Sequence, residues 1–152
     1  MTGPRWLDDR EQQAWRGYLA MQTELQAHLN RRLQADSGLS LSDFAVLVTL
    51  TDTDDGRLRA GELAEALQWE KSRLSHHLGR MQRRGLVERQ ECPDDARGAF
   101  VAVTDDGRRA IERAAPPHVG TVRDLVFDVL APDDVDALAR ISDAVLTRLR
   151  AQ

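Results

Sequence analysis

The sequence holds a single cysteine, Cys92, among its 152 residues. One thiol excludes an internal disulfide framework and any zinc site built from several thiolates. No apolar run approaches the roughly 20 residues of a membrane-spanning helix, and the stretch Met1–Arg10 lacks the apolar core of a signal peptide. A cytoplasmic protein with no membrane partner is therefore expected. There is no glycine-rich phosphate loop and no metalloprotease signature, so neither a cofactor nor a metal is expected. Lysine is nearly missing too: Lys71 is the only one among 21 cations. What remains, 41% hydrophobic and 30% charged residues, is the composition of a folded chain, and its length suits one compact unit.

The net charge of −4 is spread unevenly. Between Lys71 and Arg84 stand five cations, Lys71, Arg73, Arg80, Arg83 and Arg84, and no acid. One basic segment is thus carried on an acidic body.

Hydrophobic spacing gives the layout. Trp15, Tyr18, Leu19, Leu25, Leu29 and Leu33 recur at helical steps and predict one long first helix ended near Gly38. Ser42, with Asp43 in the first turn, is expected to cap a second helix through Leu50. Arg57–Arg59 reads as a short extended piece, Gly61–Leu67 as a brief helix, and Lys71–Arg84 as another helix closed by Gly85. In that helix Leu74, Leu78 and Met81 share one face, with Ser72, Arg73, His76, His77, Arg80, Arg83 and Arg84 assigned to the other. Leu86–Cys92 and Ala99–Val103 read as a hairpin around a turn-rich tip, Pro93–Gly98. Cys92 ends the first of these strands and is read as a small packing residue, with oxidation sensing as the alternative. Thr104 caps a further helix, which Pro116-Pro117 is expected to kink or split. A last helix from Pro132 aligns Val135, Leu138, Ile141, Ser142, Val145 and Leu149.

Two tightly joined helices, the second basic outside, followed by a hairpin with Arg97 at its tip, describe a winged helix-turn-helix. The fold class is therefore mainly α with a small β-hairpin wing. Such a helix fits the major groove of B-DNA, where arginine pairs with guanine, and an arginine at a hairpin tip suits the minor groove. A catalytic role is not supported: Ser75 and His76 are adjacent on a helix and point about 100° apart, so no triad geometry follows. A winged-helix module that binds protein without specific DNA binding is the alternative reading, and steep salt dependence of DNA binding separates the two.

Lys71–Arg89, KSRLSHHLGRMQRRGLVER, resembles the recognition helix and first wing strand of the MarR family of bacterial transcriptional regulators. Asp95-Ala-Arg97, Val101–Thr104 and Gly107 are similar to that family's wing signature. The resemblance implies a homodimer with intertwined N- and C-terminal helices, two winged domains on a palindromic operator in double-stranded DNA, and a repressor released by a small-molecule effector. Residues 37–104 would form the DNA-binding domain, and residues 1–36 with 105–152 the dimerisation region. Carried over by position, Lys71, Ser72, Arg73, Ser75, His76, His77 and Arg80 would face bases or phosphates. Arg97 would serve the wing, oriented by Asp95. For the effector, Trp15, Tyr18 and His28 on the first helix are the candidates. The first and last helices also bear apolar stripes that a small winged domain covers only in part, which agrees with dimerisation.

Overall fold

A computed structural model describes residues 2–91 and 99–152. The first helix, α1 (Asp9–Ser37), starts on a reciprocal cap: the Asp8 carboxylate accepts from the Glu11 N–H at 2.8 Å, and the Glu11 carboxylate from the Asp8 N–H at 2.9 Å. Gly38 stops it in the left-handed region at φ 73°. Helix α2 (Leu41–Thr51) is capped by Ser40, not by Ser42 as expected. The reason is Asp43. Ser40 Oγ accepts the Asp43 N–H at 3.0 Å while the Asp43 carboxylate accepts the Ser40 N–H at 2.9 Å, and only Ser40 has an acid three residues on. Val46, Leu47 and Leu50 then point fully inward.

Arg57–Arg59 is a strand, β1, and the expected two-stranded hairpin has this third member. It pairs with β3 (Phe100–Val103), which pairs in turn with β2 (Val87–Gln90), all antiparallel in the order β1-β3-β2. Arg57 stands opposite Ala102, and Val87 opposite Val103. The Arg57 and Arg59 guanidinium groups lie 4.4 and 4.5 Å from the centre of the Phe100 ring, a cation–π pairing that helps hold β1 in place. Between β1 and β2 run α3 (Ala60–Leu67) and α4 (Lys71–Arg83).

Helix α5 (Asp105–Leu125) begins where Thr104 Oγ1 accepts the Gly107 N–H at 3.0 Å and donates to the Gly85 carbonyl at 2.6 Å. A methyl group at Gly107 would overlap the Leu86 carbonyl and press on Val103, so the spacing Thr104-x-x-Gly107 seats the helix directly on the end of α4. Pro116-Pro117 does not split α5, which is one helix of 21 residues. The two prolines remove the N–H donors of their own positions and crowd the carbonyls four residues back, and packing of α5 against α1 and α2 holds the helix nonetheless. Thr121 Oγ1 supplies the Pro117 carbonyl with a donor at 3.0 Å. A single 3₁₀ turn (Phe127–Val129) leads into α6 (Pro132–Arg150), whose first turn is held by the Ala131 N–H donating to Asp134 at 3.0 Å.

The core joins Leu47 and Leu50 of α2, Leu63 of α3, and Leu74, Leu78 and Met81 of α4 to Val87 and Val101 of the sheet, and Ala110, Ile111 and Ala114 of α5 close it. α6 contributes no buried residue, and α1 only Leu33 near its end. No helix among the described residues is long and apolar enough to cross a membrane.

Candidate nucleic-acid interface

The α3–α4 connection is tight because Gln68 adopts the left-handed region at φ 55°. Its side-chain amide donates to the Glu65 carbonyl at 2.7 Å, and Trp69 N–H to the Ala64 carbonyl at 3.0 Å. The chain thus turns in three residues and launches α4 across α3. Leu74, Leu78 and Met81 anchor the inner face of α4, and Lys71, Ser72, Arg73, Ser75, His76, Arg80 and Arg83 are exposed outside. On this face cations gather with no acid between them.

His77 is a correction. Expected on the outer face, it is 8% exposed and turned toward α2. Helical geometry explains it: at 100° per residue His77 lies about 40° from Met81 and about 60° from Leu74, beside the apolar stripe. Its Nε2 has no partner in ideal hydrogen-bond geometry, although the Asp43 Oδ1 stands 2.9 Å away. Its Nδ1 lies 3.1 Å from an Arg80 nitrogen. Burial holds the imidazole below its ordinary pKa, with Arg80 and Arg73 adding to the effect and Asp43 opposing it. Burial would raise the Asp43 carboxyl, but the Ser40 N–H and the Arg84 guanidinium outweigh it and leave Asp43 below its ordinary value.

Four residues that sequence reasoning did not name as DNA contacts support the surface from beside and behind. Trp69 meets the His77 ring edge-on at 5.5 Å and takes the Arg73 guanidinium on its face at 4.1 Å. Arg84 bonds Asp43 at 2.7 Å and the Gly38 carbonyl at 2.9 Å, tying the end of α4 to the junction of α1 and α2. Arg89 on β2 donates to the Ser75 carbonyl at 2.9 Å and its hydroxyl at 3.3 Å, bracing the wing against α4. Asp43 joins the set through the contacts above. Only the capping pattern Ser40-x-x-Asp43 and the angular position of His77 signalled any of this in the sequence.

Arg97, Asp95 and Cys92 lie outside the described residues. Trp15 and Tyr18 stack at 5.7 Å on exposed α1, and His28 is exposed further along it. A groove of about 340 Å³ between α4 and the sheet is lined by Lys71, Leu74, Ser75, Leu78, Arg89 and Val101, and by none of those three α1 residues. Among the described residues no three His, Cys, Asp or Glu side chains gather as a metal site.

A family model for the MarR family matches residues 37–98. The chain is 39% identical to AbsC, a MarR family transcriptional regulator from Streptomyces coelicolor; the match covers 98% of this chain and 100% of that one, at a TM-score of 0.89. It is 42% identical to Sco3205, a MarR family transcriptional regulator from the same organism solved in complex with DNA; that match covers 95% and 90% of the two chains, with a TM-score of 0.89. The transcriptional repressor MprA of Escherichia coli is 26% identical over 129 residues, which are 85% of this chain and 72% of that protein. Fold, recognition-helix chemistry and both kinds of likeness agree, and the chain belongs to the MarR family of transcriptional regulators.

Proposed function

We propose that this regulator is a homodimeric repressor that reads a palindromic operator through α4 and leaves it when a small-molecule effector binds. The observation that carries the reading is the outer face of α4, with Arg73 and Arg80 presented on a helix braced from both sides. Arginine at these positions suits bidentate contact with guanine, and Lys71, Ser72, Ser75 and His76 suit phosphates and the remaining base edges. Arg97, supported by Asp95, is assigned to the wing's minor-groove contact.

Residues 37–104 act in this reading as the DNA-binding unit, and residues 1–36 with 105–152 as the dimerisation region. Exposed Trp15, Tyr18 and Leu19 on α1 and Ile141, Val145 and Leu149 on α6 support the second assignment, since water-exposed apolar stripes of this extent call for a partner surface. A palindrome in turn requires two copies about one helical turn of DNA apart. The effector is placed between the dimerisation helices and the winged domain, with Trp15, Tyr18 and His28 as the α1 contributors, where it would change the spacing of the two α4 helices.

Selection of bound sequences from a random DNA pool, followed by fluorescence anisotropy on the winner, tests this. Saturable binding is expected, weakening steeply with salt and lost in Arg73→Ala. Equal weak binding to all DNA would overturn the reading.

A further inference from the structure

Arg80 projects from the recognition face, yet its guanidinium is fixed from behind. Arginine has only donors, so the His77 Nδ1 that it meets at 3.1 Å must be the acceptor. The ring proton then sits on Nε2, whose neighbouring acceptor is the Asp43 carboxylate, 2.9 Å away though off the ideal hydrogen-bond angle. Asp43, 3% exposed, is itself held by Ser40 N–H and by Arg84. The three groups form a line from the buried start of α2 to the surface of α4: carboxylate, neutral imidazole, guanidinium. A buried carboxylate that orients a histidine, which orients a charged group, is how a flexible side chain is given one direction before its ligand arrives. A leucine at position 77 would fill the same space and present no acceptor.

We propose that His77 is a positioning residue for DNA discrimination: braced by Asp43, it holds the Arg80 guanidinium in the orientation that reads the operator. This rests on the DNA-binding reading above and adds a residue that does not itself touch DNA. Arg80 free to swing would still neutralise phosphates, so affinity for arbitrary DNA would persist while preference for the operator declined. The arrangement works only with a neutral ring. Once protonated, His77 loses its acceptor and faces Arg80 and Arg73 on its own helix as a third cation, with Asp43 of α2 as its anionic neighbour among the described residues and Trp69 uncharged at its edge.

Two measurements test it, the first without DNA. Long-range ¹⁵N–¹H NMR of the free protein should show His77 as the Nε2–H tautomer, with an Nδ1 shift that moves in Arg80→Ala. An Nδ1–H tautomer, or an Nδ1 indifferent to that change, overturns the proposal. The second compares operator and random DNA by anisotropy. His77→Phe should lower the ratio of the two affinities about tenfold, in keeping with loss of a hydrogen bond to a charged group. His77→Gln, whose amide can accept from Arg80 and donate to Asp43, should restore most of it. The wild-type ratio should fall on acidification more steeply than that of His77→Phe, which keeps the other three histidines, His76 of the interface among them. An unchanged ratio in His77→Phe, or failure of His77→Gln to restore it in a folded protein, overturns the positioning role. If the wild type shows no preference for any sequence while the tautomer is as expected, the DNA-binding reading has failed and the role of His77 in discrimination goes with it.

Discussion

The buried middle of the chain (the winged unit with the first part of α5) and the chain's two ends are built on opposite terms. From Leu33 to Thr121 lie all the buried side chains among the described residues, whereas α6 buries none and most of α1 lies bare. Both regions carry regular apolar stripes, so hydrophobic periodicity does not distinguish them. What differs is the presence of a covering surface within the same chain. Stability should therefore be governed by the first region and association by the second.

Leu47→Ala should break the first region most severely, by about 2–5 kcal/mol, because it opens a cavity at a side chain with no exposure; chemical denaturation monitored by circular dichroism checks this. Val145→Asp with Leu149→Asp should act at the other end, roughly halving the mass seen by light scattering at micromolar concentration while helix content is largely kept. A mass unchanged by that pair would remove α6 from the proposed dimer contact, and a monomeric mass in the unaltered protein would remove the dimer itself.

Acidification should again single out the buried core rather than the two bare ends. His77 and His118 titrate in the folded protein below the ordinary value of 6.5, so the unfolded chain takes up protons first. Their effect is absent above 6.5, and stability is lost as the pH falls from 6.5 toward the folded values. Asp43 titrates below 3.8, so its contribution persists through that window and is lost only in stronger acid. Urea midpoints at about pH 7.5 and about pH 5.5 should show the decline, reduced in His77→Phe. The smallest effect is expected at the border of the two regions: Gly38→Ala should cost about 1 kcal/mol, because only backbone conformation is at stake and open space surrounds the site.

Much of this was legible in the sequence because it is local. The stripe Leu74, Leu78, Met81, the cap at Thr104 and the stop at Gly38 each depend on neighbours within a turn or two, and the structure has all three. The choice of Ser40 over Ser42 was legible too, had the acid three residues on been weighed. The rest depends on distant partners. β1 is a strand because residues 100–103 return beside it, and Asp43 is an ion-pair centre because Arg84 arrives from 41 residues away. Pro116-Pro117 shows the reverse, a local rule outweighed by packing that the rule does not contain.

Arg84 gives the long first helix a mechanical meaning. At 1.5 Å per residue α1 is a rod of about 43 Å, and the Arg84 guanidinium grips the Gly38 carbonyl just beyond its end while also gripping Asp43. Arg84 thus ties the inner end of that rod, and with it the start of α2, to the end of α4 through a single guanidinium.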